Sequence, residues 1–259
     1  MGRPERSLRS HGSLRIQCAL LLSLLGFVPL SDSLTCLDGS MVKFGSNLTK
    51  EAVDWVEKLT VSSDAFMVMC QETMMLIDVG EQSVLLWSKS LTKLSSEIKK
   101  AQVFSSGPGI VAASYAHFCS TENCNKATST KVLLDSLSLA ASSKLGTTKC
   151  PVCLHFKGSC DPKSNLALCP VNTKCYASSM GISGGSLSIF LNIFGCLDSS
   201  RNVLFNNQTS IGVMNVREIL EVQSSNSLSH VLVPGTLLTW TLGLSALLSP
   251  LYAGISPLC

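Results

Sequence analysis

Solid apolar runs occupy both ends of the chain, and between them apolar positions recur with the short period of β-structure. Gln71 to Val79 and Val84 to Lys89 are β-favouring segments on either side of Gly80-Glu81-Gln82-Ser83, a glycine-led turn, and predict a hairpin. Ile110 to Phe118 predicts a further strand running into Cys119. The theme returns downstream: Lys174 to Ile182, then Ser183-Gly184-Gly185-Ser186, then Leu187 to Cys196, with a later strand over Ile211 to Arg217. One stretch departs from it. Leu48, Ala52, Trp55, Val56 and Leu59 fall at the spacing of one helix face, and Thr49 stands where it would cap the start. A short helix is expected there, packing its stripe on the core, inside a chain that is otherwise all-β.

The first apolar run, Cys18 to Leu30, follows Arg3, Arg6, Arg9 and Arg15 and is too short to span a bilayer. Ser31 and Ser33 supply small residues for cleavage before Leu34, so residues 1–33 read as a signal peptide rather than an uncleaved anchor. At the other end no Lys, Arg, Asp or Glu follows Glu221. Small residues at 224–227, a weakly apolar spacer and an apolar tail from Leu237 make a GPI-attachment signal over 226–259. Ser225 is the preferred attachment residue, because a serine, Ser227, then stands two places on; Asn226 is the alternative. A transmembrane helix fits less well, since the tail lacks a flanking basic stop and contains Pro250 and Pro257.

Charge changes once the ends are set aside. The net +3 includes four leader arginines against Glu5 and Asp32, which leaves the mature segment near +1. No basic stripe remains for nucleic acid. The expected location is the extracellular face of the plasma membrane, held by a lipid or shed from it.

Ten of the twelve cysteines lie between the apolar ends. Cys36, Cys70, Cys119 and Cys124 belong to a first module (34–126). Cys150, Cys153, Cys160, Cys169, Cys175 and Cys196 crowd into a second (149–222). A Ser/Thr-rich connector (127–148), with local helix over Val132 to Ala141, joins them. An even count in a secreted chain with small modules means disulfide staples. Six cysteines allow about fifteen pairings, and spacing does not choose among them.

Other chemistry falls away. Cys150-Pro151-Val152-Cys153 has the C-x-x-C form, yet no second tight pair completes a zinc site and no βαβ setting supports redox use. His117 and His155 lack a matched nucleophile and orienting acid. No catalytic residue, metal or cofactor is expected. Asn47-Leu48-Thr49 and Asn207-Gln208-Thr209 are N-glycosylation sequons and mark exposed loops.

Three features resemble the lymphocyte antigen 6/urokinase receptor superfamily of three-finger (LU) domains. They are the opening Leu34-Thr35-Cys36, the C-x4-C-N ending at Cys119, Cys124 and Asn125, and the front-loaded cysteines of the second module. Cys70-Gln71-Glu72-Thr73, Gly107 to Tyr115, and Cys169-Pro170 with Cys175-Tyr176 are most similar to the two-domain, GPI-anchored glycoproteins of testicular germ cells and sperm. The resemblance implies two disulfide-stapled LU domains in tandem, with the short helix inserted in the first. It implies the pairs Cys36–Cys70, Cys119–Cys124, Cys150–Cys175, Cys153–Cys160 and Cys169–Cys196, and a structural Asn125 bonded to backbone at the finger base. A bridge usual in the subgroup is absent, its two positions falling near Asp64 and Ser90-Leu91. By loop entropy that absence removes ~3.5 kcal/mol from the first module.

The function this implies is non-enzymatic binding of another extracellular or membrane protein, on germ cells in sperm maturation or fertilisation. A leukocyte adhesion antigen and a secreted three-finger inhibitor are the alternatives. The stretch Leu48 to Leu59 and the hairpin tips near Glu81 and Gly184 are the expected contact regions.

Overall fold

Val68 to Val79 is apolar at most positions, and the structure buries this strand on both faces. The chain is seen here in a computed structural model that describes residues 33–221, apart from 57, 58, 66, 94, 95, 141–143, 157, 159, 162 and 164. The leader up to residue 32 and the tail with Ser225 and Asn226 lie outside the described residues.

The first module is a six-stranded antiparallel sheet. Its strands are β1 (Leu34–Gly45), β2 (Leu59–Ser63), β3 (Val68–Val79), β4 (Gln82–Lys93), β5 (Ile98–Ser106) and β6 (Ile110–Cys119), in the order β2-β1-β4-β3-β6-β5. The hairpin of β3 and β4 closes through Gly80 and Glu81 alone, because Val79 pairs directly with Gln82. Gly80 takes φ 70 at the first loop position, where strand twist asks for a left-handed residue. The turn is therefore two residues tighter than the expected four. β1 serves two partners, pairing with β2 through Asp38 and with β4 from Gly39 onward.

In the second module β8 (Cys153–Phe156), β10 (Thr173–Gly184), β11 (Leu187–Asp198), β12 (Ser210–Ile211) and β13 (Met214–Leu220) form a sheet ordered β12-β13-β10-β11-β8. β7 (Leu145–Pro151) and β9 (Leu166–Pro170) form a separate ribbon. The strand expected over Ile211 to Arg217 is broken. Gly212 adopts φ 57, and the chain folds back so that Ile211 pairs with Met214.

One apolar core joins the two sheets. Met75, Ile77 and Val79 of β3 and Phe104 of β5 pack in the same cluster as Met180, Ile182, Leu191 and Ile193. Phe104 and Phe205 meet edge to face with centroids 4.9 Å apart. Each such side chain contributes about 1.5–3 kcal/mol when fully buried. Polar bonds cross the same plane: Val213 N donates to Thr73 Oγ1 at 3.2 Å and Leu154 N to Gln82 Oε1 at 2.8 Å. The approach is close enough that a Cβ on Gly212 would collide with Thr73, and one on Gly185 with Ser88.

The opposite face of the first sheet is covered by loops. Leu76, Leu85, Trp87 and Tyr115 pack with Leu48, Val53 and Leu133. Leu133 sits on α1 (Lys131–Leu134), one turn of helix where a longer one over Val132 to Ala141 was expected.

The helix expected over Leu48 to Leu59 does not form. Lys50 N and Glu51 N turn back to Asn47 O, and the chain then runs extended, with Trp55 N bonded to Thr128 O and Thr130 N to Val53 O. Thr49 caps nothing; its hydroxyl donates to Asp78 Oδ2 at 3.5 Å. Of the predicted stripe, Val56 is 80% and Leu59 62% exposed, so no single face is buried. The connector offers this segment a strand-like partner, and the β-branched Val53 and Val56 favour that pairing over a helix.

Candidate interaction surface

The cysteines build the base from which the fingers extend. Sulfur bonds join Cys36 to Cys70 (1.98 Å), Cys119 to Cys124 (1.98 Å), Cys150 to Cys175 (1.90 Å), Cys153 to Cys160 (2.04 Å) and Cys169 to Cys196 (1.96 Å). In the first module strand pairing sets Cys70 opposite Cys119, which places both bridges in one cluster with Leu34, Val61 and Leu91. Asn125 locks this base. Its Oδ1 accepts from Leu37 N at 3.0 Å, and its Nδ2 donates to Leu37 O at 2.8 Å and Gln71 O at 2.9 Å. The sulfurs of Cys150, Cys169 and Cys196 lie within 4.8 Å of one another. Each is already in a disulfide, so none is the thiolate that a metal requires.

Both expected fingertips face the other module. Gly80 stands where a Cβ would be 3.5 Å from Val152, and its neighbour Gln82 accepts the Leu154 amide. The β10–β11 tip reaches Ser88 through Gly185. The tip near Gly184 is thus spent on joining modules, whereas Glu81 stays exposed on the rim of a cleft.

That cleft opens between the β3–β4 tip and the β7–β9 ribbon. A cavity of about 480 Å³ is lined by Gly80, Glu81, Val152, Leu166 and Leu168. A second of about 460 Å³ shares Gly80, Gly109 and Pro170 with it and continues past Leu145 to Lys50, Asp78 and Asn47. Leu145, Leu166 and Leu168 are 65%, 55% and 41% exposed, an unusual cost for three leucines at one site. Register sets Lys149 opposite Leu168 and Leu145 opposite Pro170, so the ribbon turns one face to the cleft. Sequence reasoning passed over these leucines because the cysteine spacing dominated the region; Leu166-Ala167-Leu168 beside Cys169 was the available signal.

Three ionisable side chains of the first module, Glu72, Asp78 and Lys89, are buried. Asp78 accepts from Ser83 Oγ at 2.5 Å, and burial holds its carboxyl above the usual range despite that bond. Glu72 and Lys89 form a fully buried ion pair at 3.1 Å. Desolvation pushes the Glu72 carboxyl up and the Lys89 amine down, each partly offset by the partner's charge.

His117 and His155 stand apart, on β6 and β8. His117 lies on β6, its pKa lowered first by burial and then by Lys99. His155 is exposed on β8. Among the described residues neither hydrogen-bonds a serine, threonine or cysteine side chain. The cleft presents exposed apolar side chains. Asn47 and Asn207 are both exposed, at φ 62 and 59. Among the described residues no helix is long and apolar enough to cross a membrane.

No family model matches the chain. It is 36% identical over 236 residues to the CD177 antigen of Mus musculus, a match that covers 87% of the chain and 28% of that longer protein. Testis-expressed protein 101 of Mus musculus is 29% identical over 220 residues, covering 82% of the chain and 85% of the relative. Ly6/PLAUR domain-containing protein 4 of Bos taurus is 30% identical over 158 residues, 59% of the chain and 63% of that protein. The crystal structure of mouse TEX101 superposes with a TM-score of 0.60 at 24% identity, over 72% of the chain and 97% of that chain. This likeness establishes the tandem, disulfide-stapled β fold.

Proposed function

Because the chain belongs to the lymphocyte antigen 6/urokinase receptor superfamily, we propose that it is a non-enzymatic, GPI-anchored surface glycoprotein that binds another protein. Its setting is the germ cell and sperm, in sperm maturation or fertilisation. The testis-expressed relatives support that setting. The apolar leader and tail support a lipid tether at Ser225 or Asn226 on a mature segment of two modules, 34–126 and 149–222, joined by 127–148. Asn47 and Asn207 carry the glycans in this reading.

The observation that carries the binding role is the leucine-lined cleft between the modules. Three exposed leucines facing a hairpin tip suit an apolar segment of a partner protein. The test has two parts. Phosphatidylinositol-specific phospholipase C should release the protein from germ cells; protein that stays on the membrane, or that is secreted without lipid, counts against the anchor. Affinity capture from sperm membranes should then lose its bound protein in a Leu166→Asp/Leu168→Asp variant, and undiminished capture would sink the cleft. The likeness to an antigen at 36% identity favours, as second reading, a leukocyte surface antigen on the same scaffold. Surface staining of germ cells against leukocytes separates the two.

A further inference from the structure

Two rows of side chains cross the outer face of the second module's main sheet. Strand pairing sets Phe190, Gly181 and Arg217 side by side on β11, β10 and β13, with Ser188, Ser183 and Asn215 as the next row. Residues directly opposite in antiparallel strands share a face. The intervening Ile182, Ile189 and Val216 are buried in the core between modules, which assigns both rows to the solvent side. The middle of the first row is empty. Nothing lies within 4 Å of the place a Gly181 Cβ would take. On one side stands the Phe190 ring, 44% exposed, and on the other an exposed guanidinium.

A groove of about 630 Å³ lies here, lined by Gly181, Ser183, Ser188, Asn215 and Arg217, and its rim is the sequon Asn207-Gln208-Thr209. The rim is held in place. Leu204 and Phe205 anchor it in the core, Gln208 N donates to Phe205 O at 2.9 Å, and Val216 N donates to Thr209 O at 2.9 Å. The groove's carboxylate, Glu218, is turned to the rim, accepting from Leu204 N, Phe205 N and the Tyr176 hydroxyl. Open to the groove are hydroxyls, a carboxamide and a guanidinium together with apolar surface from Ile182, Ile189, Val203 and Val216, and the Phe190 ring stands next to Gly181 on the neighbouring strand. These groups match the hydroxyls, acetamide and apolar ring face of an N-acetylhexosamine.

Resting on the reading above that Asn207 is glycosylated, we propose that the first sugars of that glycan lie in this groove, over Gly181 and between Phe190 and Arg217. The ligand is tethered to the rim of its own site. A short tether gives an effective concentration on the order of millimolar, so weak sugar contacts suffice to dock it. The docked glycan covers the outer face of the second module and leaves the leucine cleft uncovered.

The test uses the full chain expressed in mammalian cells. Glycopeptide mass spectrometry first measures occupancy at Asn207, and timed digestion of the native protein with peptide-N-glycosidase F then measures release. Docking predicts release from Asn207 about tenfold slower than in a Gly181→Phe variant, whose ring fills the gap. The Phe190→Ala/Arg217→Ala variant, altered only at exposed side chains, should accelerate release likewise and serves if G181F folds poorly. An unoccupied Asn207 overturns both the glycosylation reading and the groove. An occupied Asn207 released at the same rate in wild type and variants overturns the groove alone.

Discussion

Lys89 Nζ lies 3.1 Å from Glu72 Oε1, with both side chains fully buried in the first module. The ammonium also donates to Ala127 O at 2.6 Å and sits 4.9 Å and 5.1 Å from the ring centroids of Trp55 and Trp87. Trp87 Nε1 donates to the same Glu72 oxygen at 3.1 Å. The pair therefore ties strands β3 and β4 to the connector and to the Trp55 segment at one point. Removing a single partner strands a charge in the interior. Lys89→Met should cost ~3–5 kcal/mol, whereas Glu72→Met/Lys89→Met should recover most of that loss. Denaturant unfolding of both variants checks it, and a single variant as stable as the parent would refute the interior charge.

Asn125 is the second predicted weak point. Its three backbone bonds have no substitute once the amide is removed, and the Leu37 groups it satisfies are part of the base. Asn125→Ala should lose about 3 kcal/mol. Asn202→Ala, which loses only an exposed bond to Lys174, should stay within about 0.5 kcal/mol. Equal effects in the two variants would mean that the clamp contributes little.

The modules should not fold apart. Met75, Ile77, Leu191 and Ile193 are buried by the opposite sheet, and each module alone would expose them. Calorimetry of the 34–221 segment should show one transition with equal calorimetric and van't Hoff enthalpies. Two separate transitions, or a stable isolated 34–126 segment, would contradict the shared core.

Alkaline titration offers a fourth check. Burial, followed by the Glu72 charge, pushes the Tyr115 hydroxyl up to about 12, and burial with the Glu218 carboxylate raises Tyr176 further. A phenol with a raised folded pKa favours the folded state below its ordinary value of 10.0 and loses that contribution as pH climbs toward 12. In the 34–221 segment phenolate absorbance should stay flat through pH 10 and then appear together with loss of the fold. Phenolate forming near pH 10 in the folded protein would show that these rings are not buried.

Much of this was legible in the residues. The hairpins over 71–89 and 174–196 follow from turn glycines between β-favouring runs, and the strand into Cys119 from its mostly apolar sequence. The stretch Leu48 to Leu59 misled because its helical spacing is local, whereas its backbone partner, Thr128 to Thr130, lies more than seventy residues away. β5 begins Ile98-Lys99-Lys100, too polar to show a period, and β7 to β9 were hidden under the cysteines that flank them. The core between modules had a signal that period alone does not decode. A run apolar on both faces, as in Met74 to Val79, requires cover on both sides. Nothing local marked Glu72 and Lys89 as a pair, because they lie on different strands and meet only through the β3–β4 register.

The seat of Thr73 against the bare backbone of Gly212 restricts how such chains can diversify. A side chain on the turn, or a bulkier one on the strand facing it, wedges the halves apart, so a Cβ at 212 requires a residue smaller than threonine at 73. Recombination that exchanged one half for that of a cousin would break the fit. At this contact each half is cut to the outline of the other, and a transplanted half must bring the matching residue with it.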